Sequence, residues 1–185
     1  PISPRYPIIE LVTMAAFLAH YAVFGLDIML VPRLLFACAM IVLFAIDLEH
    51  HLLPNAITLP GIVMGLAFSV FLPAGLVDAL IGTLLGGGIL WGIGEAYYRY
   101  SGQEGMGGGD VKMLAMIGAF LGWKLVVLTL VLSSVLGSLV GLLVIALRWG
   151  GMKHALPYGT FLALGGLVSS LLVADIVNWY VSLYQ

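Results

Sequence analysis

Residues 104–123, EGMGGGDVKMLAMIGAFLGW, set a glycine run directly before a short apolar segment. Four of the five residues before Asp110 are glycine, so the backbone there can bend sharply and approach other chain segments closely. The apolar segment that follows is about 13 residues long, which as helix measures roughly 20 Å against a hydrocarbon core of about 30 Å. This stretch therefore predicts a short or broken helix that starts near Asp110 and does not cross a bilayer by itself.

The composition of the chain predicts a membrane protein. Of its 185 residues, 62% are hydrophobic and 9% are charged, whereas a soluble domain is about 45–50% apolar and about a quarter charged. Apolar stretches fall at residues 8–26, 28–47, 56–72, 76–98, 111–123, 125–147 and 157–183. We expect an all-α fold, a polytopic membrane helix bundle of about seven helices that forms one domain over residues 1–185.

The distribution of basic residues predicts how the helices are oriented in the bilayer. The alternating arrangement places one group of basic residues on one side, namely Arg5, Arg99, Lys112, Arg148 and Lys153, and only Arg33 and Lys124 on the other. The positive-inside rule makes the richer side cytoplasmic, together with the loops around Asn55, Gln103 and Met152. The net charge of −2 and the lack of a Lys/Arg run argue against nucleic acid as a partner.

A second glycine-rich stretch, residues 82–94, predicts close helix packing. Gly82, Gly86, Gly88 and Gly92 recur at short spacing in GTLLGGGILWGIG, and small residues let helix backbones approach one another in lipid. The alternative, a nucleotide-binding loop, would need a following GKS or GKT and a preceding strand, and the sequence has neither.

Asp47 and Asp110 are the two carboxylates that stand out, because both are expected to lie within or at the edge of the membrane. In IVLFAIDLEHHLLPN, residues 41–55, the helix is expected to run until Pro54 ends it, so Asp47 lies on helix, roughly 10 Å from the bilayer midplane. Asp110 stands at a helix start, where backbone N–H groups and the helix dipole are expected to favour its ionised form. Two carboxylates at one depth suit an aspartic protease, in which the pair shares one proton. The plainer alternative is that Asp47 ends a helix among the headgroups and Asp110 only caps one.

Residues 45–61, AIDLEHHLLPNAITLPG, and residues 104–123 resemble the two catalytic regions of the type IV prepilin peptidases, membrane enzymes of the GxGD aspartic class. The GxGD motif is Gly107, Gly108, Gly109 and Asp110. The opening PISPRYPIIELVT, residues 1–13, and ALPYGTFLALGG, residues 155–166, also resemble that family, so the similarity covers nearly the whole chain in the expected order.

The resemblance implies an intramembrane aspartic endopeptidase whose catalytic residues are Asp47 and Asp110. Its substrates would be type IV prepilins or pseudopilins, cut after the glycine that ends a short basic leader. Cleavage would take place at the cytoplasmic face of the bacterial inner membrane. Lys112 matches the GDxK pattern and either biases Asp110 toward ionisation or anchors the helix by reaching the headgroups.

Many members of that family also methylate the new N-terminus with S-adenosylmethionine, and carry paired CxxC motifs in a segment before the PRYP-like stretch. The present sequence starts at Pro1 and has one cysteine, Cys38. We expect it to be the core of a longer chain, to need no cofactor for peptide cleavage, and to involve S-adenosylmethionine only if the full-length enzyme carries that segment.

The remaining polar residues allow other interpretations. Glu49 and Glu104 flank the expected site and are candidate contacts for a basic leader, although loop acids are often merely solvated. Glu49, His50 and His51 do not form HExxH, so no metal site is predicted. A proton-coupled small-solute transporter would also bury carboxylates and break a helix with glycine, but the sequence shows no internal repeat.

Overall fold

The computed structural model describes residues 5–71, 75–103, 105–147 and 157–172, and these residues form seven helices without a strand. The helices are α1 Arg5–Phe24, α2 Leu30–His50, α3 Asn55–Ser69, α4 Gly75–Ser101, α5 Gly108–Leu121, α6 Trp123–Ala146 and α7 Tyr158–Leu171. The predicted all-α bundle is confirmed, and so is the short helix after the glycine run. The last predicted stretch, 157–183, is described only to Leu172, and its remainder lies outside the described residues.

Four helices are long and apolar enough to cross a membrane: Tyr6–Phe24, Leu30–His50, Gly75–Ser101 and Trp123–Ala146. Their outward faces carry exposed aliphatic side chains such as Leu11, Leu84 and Leu142. Exposed apolar surface of this extent is unfavourable in water but favourable against lipid tails. The chain is therefore a multi-pass membrane protein, as its composition predicted.

The short helix α5 lies at the centre of the bundle. Every side chain from Met113 to Phe120 is buried, and α5 packs against α3, α4, α6 and α7. On α4, a Cβ atom at Gly86 would lie 2.5 Å from the carbonyl oxygen of Leu114, so the two backbones touch where no side chain could fit. The predicted packing role of the α4 glycines holds for Gly82 and Gly86, whereas Gly88 and Gly92 have no neighbour within 4 Å.

The end of α2 differs from the expectation that this helix would continue to Pro54. The helix ends at His50, because His51 adopts a left-handed conformation with φ 51° and ψ 40°. The His51 N–H still donates to the Asp47 carbonyl at 2.9 Å, which closes the last turn of the helix. Pro54 instead precedes α3 as its N-cap residue. Asp47 lies on the last turn of α2, on helix as predicted.

Candidate active site

An open pocket of about 350 Å³ lies at the end of the bundle where α2 ends and where α3 and α5 begin. Its lining joins the last turn of α2, the connection to α3 and the first turn of α5: Asp47, His51, Leu52, Leu53, Asn55, Gly107, Gly108, Gly109, Asp110 and Lys112. Asp47 and Asp110, which are 63 positions apart in the sequence, thus face one cavity. Both predicted carboxylates and all three predicted glycines belong to its wall.

Asp47 is held by the N-terminus of α7. Its side chain is buried, and its Oδ2 atom accepts a hydrogen bond from the Thr160 backbone N–H at 2.7 Å and from the Thr160 hydroxyl at 3.2 Å. A Cβ atom at Gly159 would lie 2.8 Å from the same oxygen, so glycine is what lets α7 come this close. Hydrogen bonds from backbone N–H groups and the positive end of a helix both favour the carboxylate form.

Asp110 occupies the first turn of α5, a helix of 14 residues that is not among the four long spans. Burial, and secondarily the charge of the nearby Asp47 carboxylate, raise the pKa of Asp110 from 3.8 to about 6. The direction of this shift is opposite to the one expected from the helix start, which would favour the ionised form of Asp110. The loss of hydration in the packed bundle outweighs the helix dipole, since burial penalises the charged form directly.

Leu53 separates the two helix starts that carry the site. It is buried, and a Cβ atom at Gly109 would lie 2.9 Å from the Leu53 Cβ, while one at Gly159 would lie 2.8 Å from the Leu53 Cδ1. Both glycines therefore leave room for the same side chain. Leu53 in this way sets the distance between the start of α5 and the start of α7.

Lys112 does not pair with Asp110. Its Nζ donates a hydrogen bond to the Asn55 Oδ1 atom at 2.8 Å, which ties α5 to the first residue of α3. Lys112 still lines the pocket, so its charge is close to the site. The expectation that it would bias Asp110 toward ionisation is not supported, because the pKa of Asp110 is raised and Lys112 is not among the causes.

The structure describes one of the two candidate substrate contacts, Glu49. Glu49 lies at a separate apolar groove of about 290 Å³ between α1 and α2, lined also by Ile8, Ile9, Val12, Ile41, Phe44, Ala45 and Leu48. Glu104 lies outside the described residues. Within the described ranges no group of three or more His, Cys, Asp and Glu side chains is arranged to hold a metal ion.

Thr160 and Gly159 were not predicted as site residues. The sequence signal was the order Pro157, Tyr158, Gly159, Thr160, in which a proline directly precedes the first residue of a helix. That pattern marks a helix N-terminus, but nothing local shows that this terminus points at a carboxylate 113 positions earlier.

Comparison with known proteins relates the chain to a family of proteases. The family model described as type IV leader peptidase family matches residues 34–142, a range that contains both aspartates. A protein named prepilin leader peptidase/N-methyltransferase from Aeromonas hydrophila is 37% identical over 98% of this chain and 63% of its own length. The protein of that name from Pseudomonas aeruginosa is 37% identical over 97% of this chain and 62% of its own.

A more distant relative of the same name, from Legionella pneumophila, is 32% identical and covers 100% of this chain. The chain spans 65% of that relative's length, so it matches only about three fifths to two thirds of each of these proteins. No solved structure gave a significant match.

Proposed function

Because the chain belongs to the type IV leader peptidase family, we propose that residues 1–185 are the membrane-embedded peptidase domain of a prepilin leader peptidase. Its substrates are type IV prepilins or pseudopilins. It hydrolyses the peptide bond after the glycine that ends their short basic leader, at the cytoplasmic face of the bacterial inner membrane. The names of the relatives support the substrate class, and the excess of basic residues on one side of the predicted topology supports the orientation.

One observation carries this proposal: Asp47 and Asp110, from two different helices, line one open pocket in unequal surroundings. The carboxylate of Asp47 accepts two hydrogen bonds, and the pKa of Asp110 is raised by burial and by Asp47. Such a difference in environment separates an acid from a base in a carboxylate pair. We assign the ionised role to Asp47 and the protonated role to Asp110.

In the proposed reaction Asp47 accepts a proton from a water molecule in the pocket, and the oxygen of that water attacks the scissile carbonyl carbon. Asp110 donates its proton toward the carbonyl oxygen, which stabilises the charge that develops there. When the tetrahedral intermediate collapses, the C–N bond breaks and the leaving nitrogen takes up the proton that Asp47 had received. One hydroxyl of the intermediate returns a proton to Asp110 as the new carboxyl group forms. The overall change is addition of one water across one peptide bond.

The glycines before Asp110 support access for an extended substrate. Gly107 has an extended backbone with φ −71° and ψ 134°, and Gly108 has no neighbour within 4 Å of an added Cβ. A peptide can approach this backbone closely because no side chain stands in front of it. Recruitment of a basic leader by Glu49 and Glu104 belongs to the same proposal.

We assign no step of the cleavage to S-adenosylmethionine. The relatives are named N-methyltransferases as well as peptidases, and the methylation segment of the family is rich in paired cysteines. Within the present 185 residues the single cysteine, Cys38, cannot form such a pair, so the methyl donor would bind to that segment of a full-length enzyme. Transfer of labelled methyl groups by these residues alone would contradict this assignment.

The test is cleavage of a purified prepilin by the protein in liposomes without any ion gradient, which also excludes a transport reaction. Asp47→Asn and Asp110→Asn should each remove nearly all cleavage, and the double variant should do little more, because the two groups act as one unit. Thermal unfolding serves as the control, since the neutral isosteres should leave the bundle folded. A folded single variant with near-normal cleavage would contradict the two-aspartate mechanism.

A further inference from the structure

We propose that Thr160 is a positioning residue that keeps Asp47 the ionised member of the aspartate pair. The inference rests on the proposed peptidase function and goes beyond it, because it assigns a role to a residue that carries no reacting group. Thr160 acts through Asp47 and has no part in bond making or breaking.

The contact is buried, and Thr160 offers Asp47 two possible donors, the backbone N–H and the hydroxyl. Thr160 is 4% exposed and Asp47 is 5% exposed, so water does not compete strongly for either group. The hydroxyl of Thr160 has one hydrogen, and its contact with the Pro157 carbonyl oxygen, at 2.7 Å, is shorter than its contact with Asp47 at 3.2 Å. The backbone N–H, at 2.7 Å from Oδ2, is therefore the principal donor to the carboxylate.

This N–H is one of the donors that a helix leaves unpaired at its start. Pro157 is the N-cap residue of α7 and has no side-chain cap, and Thr160 is the third helical residue. Asp47 supplies from α2 the acceptor that an N-cap side chain usually supplies from the same helix. The contact serves both helices. The Asp47 carboxylate caps the N-terminus of α7, and in return it lies at the positive end of the α7 helix dipole.

The other aspartate lacks such support. Among the residues that the structure describes, none donates a hydrogen bond to the Asp110 carboxyl group, whereas Asp47 has two donors. A proton shared by the pair is thus directed to Asp110 by the geometry around Asp47. Without the Thr160 donors the two carboxyl groups would compete for it more equally, and a smaller fraction of the enzyme would hold the productive arrangement.

Other titratable groups lie on the elements around Asp47, and they stay unchanged in the variants proposed below. They lie on α5, at the end of α2 and on α7: Asp110, Lys112, Glu49, His50, His51 and Tyr158. The adjacent start of α3 contributes Asn55, which does not titrate. A change in pH dependence that follows a substitution at Thr160 can therefore be attributed to the lost donor.

The experiment measures cleavage of a purified prepilin against pH with the full-length protein in liposomes. Thr160→Ser keeps both donors and should reproduce the wild-type profile. Thr160→Val removes the hydroxyl and keeps the N–H. Thr160→Pro removes both donors in the first turn of a helix, where proline is tolerated, but its Cδ takes the place of the N–H that points at Asp47, so this variant also displaces the carboxylate. We expect the acid limb of the pH profile to move to higher pH, by a few tenths of a unit in Thr160→Val and by on the order of one unit in Thr160→Pro.

A shift of the acid limb in that order, with kcat of Thr160→Val at its new optimum reduced less than tenfold, would support the positioning role. A folded Thr160→Pro variant with an unshifted acid limb would overturn it; if that variant does not fold, an unshifted profile of Thr160→Val would do so. An equal loss of cleavage at every pH in Thr160→Val would also overturn it, because a merely structural role predicts that result. Absence of cleavage by the wild-type protein would instead contradict the proposed function.

Discussion

The contact between α7 and Asp47 can be tested by one methyl group. In Gly159→Ala the new Cβ would lie 2.8 Å from the Asp47 Oδ2 atom, 3.0 Å from its Cγ and 2.8 Å from the Leu53 Cδ1. Ordinary contacts begin near 3.4 Å, so α7 and Asp47 must separate by about half an ångström. Leu53 has little room on the side of Gly109, where an added Cβ would lie 2.9 Å from the Leu53 Cβ.

A displacement of this size should lower cleavage far more than stability. A misplacement of about 1 Å in a catalytic group can reduce the rate about 100-fold, so we expect kcat/KM to fall about 10- to 100-fold. Overpacking costs about 1–3 kcal/mol of unfolding free energy, but alanine is favoured over glycine in helices by up to about 1 kcal/mol. The net loss of stability should therefore be small enough to leave the protein folded at the assay temperature.

The assay is prepilin cleavage in liposomes, with thermal unfolding measured on the same preparations. Gly88→Ala on α4 is the matched control, because a Cβ there meets no atom within 4 Å, and it should cleave at the wild-type rate. A folded Gly159→Ala variant that cleaves within about twofold of the wild-type protein would contradict this prediction, since the close approach of α7 would then be irrelevant to the reaction.

Three further predictions concern the proton on Asp110, the orientation of the chain and the α4–α5 contact. In Asp47→Asn the pKa of Asp110 should fall from about 6 toward 3.8 without reaching it, because the charge of Asp47 is removed while burial, the larger cause, remains. Infrared titration of labelled carboxyl groups measures this pKa. An unchanged value would show that the two side chains do not interact. Single cysteines at Asn55 and Gln103, in a chain with Cys38 replaced, should be protected from an impermeant thiol reagent added outside intact cells, and labelling at both would invert the topology. Gly86→Ala should lower stability by about 1–3 kcal/mol because its Cβ would lie 2.5 Å from the Leu114 carbonyl oxygen, whereas a melting temperature equal to that of Gly88→Ala would rule out the tight contact.

The helices could be predicted from the sequence because lipid-facing helices consist of long runs of apolar residues. The sequence also predicted that Asp47 and Asp110 would meet, since each stands at the end of such a run on the same side of the bundle. The short α5 was recognisable from length alone, because 14 helical residues are too few to cross the hydrocarbon core. These features depend on local composition and on simple geometry, which a sequence contains directly.

The partners of the site residues could not be predicted, because they depend on how distant helices pack. Thr160 is 113 positions from Asp47, and Asn55 is 57 positions from Lys112. The ionisation of Asp110 was predicted in the wrong direction for the same reason. Its place at a helix start is visible in the sequence, whereas the burial that raises its pKa arises only when α5 is surrounded by its neighbours.

The carboxyl group of each aspartate lies next to the N-terminus of a helix. Among the described residues, only Asp47 accepts a hydrogen bond from such a terminus. Asp110 belongs to the first turn of its own helix, and burial there costs more than the helix dipole returns. Asp47 approaches α7 from outside, so an N–H at the start of that helix points directly at its carboxylate. On the proposed mechanism this difference assigns the base to α2 and the acid to α5 before any substrate arrives. When Asp110 carries this proton, substrate binding does not have to reorganise the pair before water attacks.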